Sequence, residues 1–244
     1  MRKFHERAGL VFSLIWIGLY VFLMSAADSI SESLGFQKAI TAPISLLMSG
    51  FLFFWLHRNR LTTEYGLCKW QGNAKRYLYF LPLPLLVSVN LWWAVSPQSA
   101  LAELLSYVIS MVCVGFLEEL IFRGFLFKAL AKDSLKQAVI ISSLTFGIGH
   151  ILNLFTGSDT AATLIQVVYA TAAGFLFTVL FLRSGSLWPC IIAHSAVNAF
   201  SIFSPAALSL PRQLLSGGFL CVVSVGYAIY LLRVPPLSPK SRSC

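Results

Sequence analysis

The stretch that decides the fold is residues 104–130, LLSYVISMVCVGFLEELIFRGFLFKAL. It is mostly apolar and exceeds the roughly 20 residues that an α-helix needs to cross a hydrocarbon core about 30 Å thick. We therefore predict a membrane-spanning helix here. Glu118, Glu119 and Arg123 interrupt it, and each would cost about 2.5 to 3.5 kcal/mol if charged near the centre of such a helix. Three such residues in one span need an explanation.

The rest of the chain has the same apolar character. Of its 244 residues 57% are hydrophobic and 11% are charged, and the mean hydropathy is +0.79. These values exclude a disordered protein and argue against a soluble enzyme, whose surface could not remain so apolar. Eight apolar runs are long enough to span a bilayer. They extend approximately from Ala8 to Ala26, Ala39 to His57, Tyr77 to Val95, Leu104 to Leu130, Leu135 to Phe155, Thr160 to Leu182, Ser186 to Phe203 and Gln213 to Leu232.

The predicted architecture is an all-α, polytopic membrane protein with about eight transmembrane helices in one bundle around an intramembrane polar site. Residues 1–234 form its single integral-membrane domain, with a motif-bearing core at about 104–203, and residues 235–244 form a short disordered cytoplasmic tail. The first run follows three basic residues, as in a signal peptide, but it is too long for the apolar core of a typical signal peptide. We expect it to remain as the first span.

The basic balance gives the topology. With eight spans, 15 of the 18 Lys and Arg residues lie on the same side of the membrane as the N-terminus. The exceptions are Lys38, Arg212 and the intramembrane Arg123. The side rich in Lys and Arg is cytoplasmic in membrane proteins. We therefore expect a multi-pass protein of the inner or plasma membrane. Both of its termini should lie in the cytoplasm. The net charge of +9 is then a topology signal, and no nucleic-acid partner is expected.

The intramembrane charges of the fourth span are not explained by one salt bridge. Glu119 and Arg123 are four residues apart and can pair on one helix face. Glu118 points about 100° away around the helix and needs a partner of its own. Because ionisable residues inside membranes are usually functional, we interpret the group as part of a site.

Two other spans carry the plausible partners. The fifth contains Phe146 and His150, and the seventh contains His194 and Asn198. The spacing of four places the members of each pair on one helix face. Either pair alone could be a structural interhelical contact, since His and Asn commonly join membrane helices. Together with the charges of the fourth span, they favour a reaction centre.

The ordered motifs EExxxR at 118–123, FxxxH at 146–150 and HxxxN at 194–198 resemble the signature of the CPBP family of intramembrane proteases. That family comprises the type II CAAX prenyl endopeptidases and the bacterial Abi or bacteriocin-processing proteins. The resemblance covers about two fifths of the chain. It implies an intramembrane endopeptidase that cuts a membrane-associated protein or peptide within the lipid bilayer, in CAAX-like or leader-peptide processing.

The resemblance also implies roles for single residues. Glu118 and His150 would hold and deprotonate the attacking water, and His194 and Asn198 would form the oxyanion site. Burial disfavours an ionised carboxylate, so a carboxylate base at neutral pH needs cationic or hydrogen-bonding neighbours.

The resemblance further implies that Glu119 pairs with Arg123 and tunes the charge of the neighbouring carboxylate. We expect no cofactor. The alternative is a zinc-dependent version of the same protease, in which Glu118, His150 and His194 hold the metal and leave one position for water.

Two other classes of function remain open. Intramembrane carboxylates and histidines also form proton relays, as in a proton-coupled transporter. A non-catalytic immunity protein could use the same polar pocket. Against transport, the two halves of the chain show no repeat. The sequence predicts neither the oligomeric state nor the substrate.

Overall fold

The protein is described here by a computed structural model covering residues 1–68, 80–95, 99–205 and 208–234. Within these ranges it is helical and contains no strand. The α-helices are α1 (Arg2–Arg7), α2 (Gly9–Ser33), α3 (Thr41–Arg58), α4 (Pro82–Ser88), α5 (Leu101–Glu118), α6 (Phe127–Leu130), α7 (Leu135–Gly149), α8 (Thr160–Ser184), α9 (Trp188–Phe200) and α10 (Leu210–Arg233).

The all-α membrane bundle is confirmed. In the described part of the chain, five helical segments are long and apolar enough to cross a membrane. They are Gly9–Ser33, Leu101–Leu130, Leu135–Phe155, Thr160–Ser184 and Leu210–Arg233.

The other three predicted spans coincide with shorter helical segments. The second is the 18-residue helix α3. The third and seventh correspond to Pro82–Leu91 and Trp188–Phe203. The start of the third predicted span, at Tyr77, and the proposed tail at 235–244 lie outside the described residues.

The interior of the bundle combines helices that are neighbours in sequence with helices that are far apart in it. Helix α8 packs against its neighbour α7 and against α10, and α5 packs against α9 and α3. Helix α2 packs against the continuation of α5. Apolar side chains fill the interior, and many large apolar side chains also lie on the outer surface. An apolar exterior is suited to lipid, where no polar coat is needed.

The continuation of α5 is a π-helical segment, Glu119–Leu126, which leads into α6. All eight of its residues are buried. The apolar pattern of the sequence had predicted a regular α-helix here and did not indicate this change. Short π-helical turns are uncommon and often occur at functional sites. In this protein the segment begins at the second glutamate of the Glu118–Glu119 pair.

Two glycines allow the helices that carry the motifs to approach closely. A Cβ added to Gly115 would lie 2.8 Å from the backbone nitrogen of Ser195, and one added to Gly147 would lie 2.8 Å from that of Thr171. Real Cβ atoms do not come so near to a backbone. Gly115 therefore sets the contact of α5 with α9, and Gly147 sets that of α7 with α8.

Candidate active site

A buried ion pair lies at the centre of the bundle. Arg123 Nη1 donates to Glu119 Oε1 across 2.9 Å, and both side chains are fully buried. The guanidinium of Arg123 also lies 4.0 Å from the ring centroid of Phe146, in a cation–π arrangement. The spacing of four residues had predicted that Glu119 and Arg123 could pair, and this contact is confirmed.

His194, on α9, lies between the two glutamates. Its Nδ1 is 2.8 Å from Glu119 Oε1, and its Nε2 is 3.5 Å from Glu118 Oε2. An ionised carboxylate can only accept, so Nδ1 carries a proton and donates it to Glu119. Nε2 is then the ring nitrogen that faces Glu118. Both glutamates therefore lie near the same imidazole.

Glu118 has a second partner that no motif in the sequence indicated. The hydroxyl of Tyr20, on α2, donates to Glu118 Oε1 across 2.5 Å. The three motifs lie on the fourth, fifth and seventh predicted spans, and no motif residue lies on the first. The first span nevertheless supplies a side chain to this carboxylate. The available signal was weak: one tyrosine inside an apolar run.

His150 is held by its own helix. Its Nδ1 lies 3.1 Å from the carbonyl oxygen of Phe146, which can only accept. Nδ1 therefore carries the proton, and Nε2 remains as an acceptor in the neutral ring. The rings of Phe146 and His150 meet edge to face with centroids 5.4 Å apart. The predicted contact between this pair is therefore present.

Phe146 connects the histidines to the ion pair. Its ring lies edge to face against His194, with centroids 5.6 Å apart, in addition to its contacts with His150 and Arg123. Phe146 is buried. One aromatic side chain thus contacts three of the six polar residues that the motifs predicted.

A cavity of about 450 Å³ brings the motif residues of three helices to one space. Glu118, His150, His194 and Asn198 line it. Glu119 and Arg123 are fully buried. Of the six predicted residues, four therefore face the cavity, and the ion pair is packed into the protein beside it, in contact with His194.

The cavity extends from the motif residues to the end of α2 and the start of α3. Asp28 and Lys38 form an ion pair of 2.8 Å there, and Thr41 donates to the same carboxylate. All three line the cavity. The sequence had marked Lys38 only as one of the few basic residues away from the predicted cytoplasmic side, and it did not predict that this end of α2 lines a site.

Two further polar residues lie near the histidines in the sequence. The side-chain amide of Asn153, which follows His150 by three positions, donates to Gln166 Oε1 at 2.9 Å. Ser195 follows His194 directly, and its hydroxyl donates to the carbonyl of Val112 at 3.1 Å. The structure therefore provides no Ser–His pair at this position.

The donor set bears on the zinc alternative. Among the residues that the structure describes, no group of three or more His, Cys, Asp or Glu side chains is arranged to hold a metal ion. Glu118 Oε2 and His194 Nε2 lie 3.5 Å apart, and Nδ1 of His194 donates to Glu119. A donated Nδ1 proton leaves Nε2 available, as in histidines that bind a metal and in histidines that do not.

The motif-bearing region of the chain is similar to known proteins. Residues 100–200 match the family described as Type II CAAX prenyl endopeptidase Rce1-like. The Bacillus subtilis (strain 168) protein named "Putative membrane peptidase YdiL" is 35% identical over 99 residues. That match covers 40% of this chain and 36% of the relative's length. No solved structure matches the chain significantly. The two matches confirm the resemblance of the motif region to the CPBP family.

Proposed function

We propose that this protein is an intramembrane endopeptidase of the metal-free, glutamic type. The observation that carries the proposal is the position of His194 between the Glu118 and Glu119 carboxylates, beside a cavity that His150 and Asn198 also line. Peptide hydrolysis needs a base for water, donors for the oxyanion and a proton for the leaving amine. The side chains around this cavity have the chemistry for all three.

In this proposal Glu118 is the general base. Its side chain is about 14% exposed, so it can meet a water in the cavity while remaining shielded from bulk solvent. His150 has a free Nε2 lone pair that can accept a hydrogen bond from the same water. The water then attacks the scissile carbonyl carbon, and its proton moves to the Glu118 carboxylate.

His194 and Asn198 would stabilise the oxyanion. Because Glu119 accepts from Nδ1, His194 can donate from Nε2 only as an imidazolium. The amide of Asn198, four residues further along α9, would supply the second donor. Groups that are already oriented towards a developing charge give the largest electrostatic stabilisation.

Glu119 and Arg123 would act as a brace and would not touch the substrate. Arg123 compensates the buried Glu119 charge, and Glu119 fixes the ring of His194.

Collapse of the tetrahedral intermediate breaks the C–N bond, and the proton on Glu118 passes to the leaving amine. The carboxylate is regenerated, and each catalytic cycle consumes one water.

The substrate and orientation are part of the proposal. The active-site cavity lies among helices that fit a bilayer, which favours a membrane-associated protein or peptide as substrate. The matched family supports CAAX-like processing, and leader-peptide processing is the alternative. The distribution of basic residues supports a multi-pass protein of the inner or plasma membrane with both termini in the cytoplasm.

The test is hydrolysis by purified protein in lipid vesicles, with peptides that carry a membrane anchor and matched peptides without one. We expect cleavage of an anchored peptide, incorporation of one ¹⁸O atom from labelled water into the new carboxyl group, and unchanged rates with a zinc chelator. Loss of activity with chelator and recovery with zinc would overturn the metal-free mechanism. If no peptide is cut but ion flux occurs, the transport alternative replaces the protease.

A further inference from the structure

Tyr20 is the one cavity-lining side chain outside the motifs with a described hydrogen bond to either motif glutamate. It is buried, with 8% of its surface exposed. It lies on α2, and so outside the region 100–200 that matches the protease family. Met24 and Asp28 follow at intervals of four residues and also line the cavity. One face of α2 therefore forms a wall of the site.

The two contacts of Glu118 involve different oxygens. Tyr20 donates to Oε1, whereas Oε2 faces Nε2 of His194 at 3.5 Å. A carboxylate in an open cavity rotates about its last side-chain bond, because that torsion is broad. Two partners on opposite oxygens fix the plane of the group. Oε1 is then occupied by the tyrosine, and Oε2 is directed towards the motif histidine.

We propose that Tyr20 is a positioning residue, which orients the Glu118 carboxylate so that one defined oxygen receives the proton of the attacking water. This inference rests on the proposed function, in which Glu118 is the base. A phenol donor to an ionised carboxylate is a charge-assisted hydrogen bond, among the stronger contacts available to a side chain. It also keeps the carboxylate from turning towards other donors in the cavity.

The activity test compares Tyr20→Phe with Tyr65→Phe in the full chain reconstituted in lipid. Tyr65 is also a buried tyrosine whose hydroxyl bonds a titratable side chain, His5, but it does not line the cavity. We expect Tyr20→Phe to lower kcat about 10- to 100-fold with KM within about twofold, as expected for the loss of a hydrogen bond to a charged group. Tyr65→Phe should keep kcat within about twofold of the wild type.

A second readout does not depend on peptidase activity. In infrared difference spectra between the wild type and Tyr20→Phe, the carboxylate stretching bands should change because one oxygen loses its donor. The change should be absent when both proteins also carry Glu118→Gln. A structural role for the tyrosine ring alone would not move this band.

Several outcomes overturn the inference. Wild-type kcat in Tyr20→Phe would show that positioning is not needed, while the protease proposal would stand. A raised KM with unchanged kcat would make Tyr20 a substrate contact. An equal loss in Tyr65→Phe would make the effect structural. If the wild type cleaves no peptide, the proposed function fails, and the absence of a Glu118-dependent band change would then overturn the contact itself.

Discussion

Nδ1 of His194 donates to Oε1 of Glu119 across 2.8 Å and joins α9 to the first residue of the buried π-helical segment. The same oxygen accepts from Arg123 at 2.9 Å. One carboxylate oxygen therefore links the cation of its own segment to the histidine of another helix. A substitution in the Glu119–Arg123 ion pair is therefore expected to alter the position of the His194 ring.

The buried ion pair gives the first prediction. Arg123→Met should destabilise the protein by about 3 to 5 kcal/mol, because it leaves the Glu119 charge buried without its cation. The double variant Arg123→Met with Glu119→Gln should recover part of this loss, since it removes the uncompensated charge. Unfolding in mixed detergent micelles gives the free energies. Equal stability of the single and double variants would contradict the pairing.

The close approach at Gly115 gives the second prediction. Gly115→Ala should destabilise the protein by about 1 to 3 kcal/mol, because the new methyl group meets the backbone of Ser195 and separates α5 from α9. Since His194 precedes Ser195, peptidase activity should also fall. Gly218 is the matched control: it lies within α10 and has no atom within 4 Å of an added Cβ.

For this control, Gly218→Ala is expected to be neutral or to stabilise the protein by up to about 1 kcal/mol through helix propensity. Thermal unfolding followed by tryptophan fluorescence, together with peptidase rates, checks both variants. If the two alanines had the same effect, the contact at Gly115 would not control the position of α9.

His5 gives a prediction about pH. It lies in α1, ahead of the membrane-spanning α2, and its ring packs against Phe12, Trp55 and Tyr65. Burial lowers the pKa of His5 below its ordinary value, although the carboxylate of Glu64 opposes the shift. At a pH between the lowered pKa of His5 in the folded protein and its ordinary pKa in the unfolded chain, the unfolded chain binds more protons than the folded protein.

The contribution of neutral His5 to stability should therefore be complete above about pH 6.5 and decline as the pH falls towards the lower pKa of the folded state. The thermal midpoint should drop between pH 7 and pH 5. His5→Phe keeps an aromatic ring without the titration, so its midpoint should fall less over the same range. Parallel curves for the two proteins would exclude His5 as the source of the pH dependence.

Asn198 gives a prediction about the oxyanion. Asn198→Ala should lower kcat by about 10²- to 10³-fold with little change in KM, because an oxyanion donor acts mainly in the transition state. Asn59→Ala is the control: that amide donates to the carbonyl of Trp55 and does not line the cavity. A rise in KM alone for Asn198→Ala would assign the amide to substrate binding.

The sequence predicted the all-α membrane bundle, because apolar runs of spanning length are strong signals. It also predicted that Glu119 could pair with Arg123 and that Phe146 could contact His150, since residues four apart share a helix face. These contacts are local within one helix. Hydropathy and helical spacing are therefore sufficient to predict them.

Contacts between residues far apart in the chain could not be predicted from the sequence and became visible only in the structure. Tyr20 and Glu118 are 98 positions apart, and no periodicity links them. The π-helical segment at Glu119–Leu126 also escaped prediction, because a hydropathy pattern does not distinguish it from an α-helix. The family resemblance identified the six polar motif residues. It did not indicate that the carboxylates of Glu118 and Glu119 would both lie beside His194, or that the first span would line the cavity.

The cleavage rate of Glu118→Gln, measured in single turnovers on an anchored peptide, tests directly whether Glu118 is the general base. Glu103→Gln is the matched control, because it makes the same chemical change near the start of the same helix, α5. We expect a loss of about 10²- to 10⁴-fold for Glu118→Gln, which is the contribution of a general base, and a wild-type rate for Glu103→Gln. Cleavage by Glu118→Gln within about twofold of the wild type would contradict Glu118 as the base.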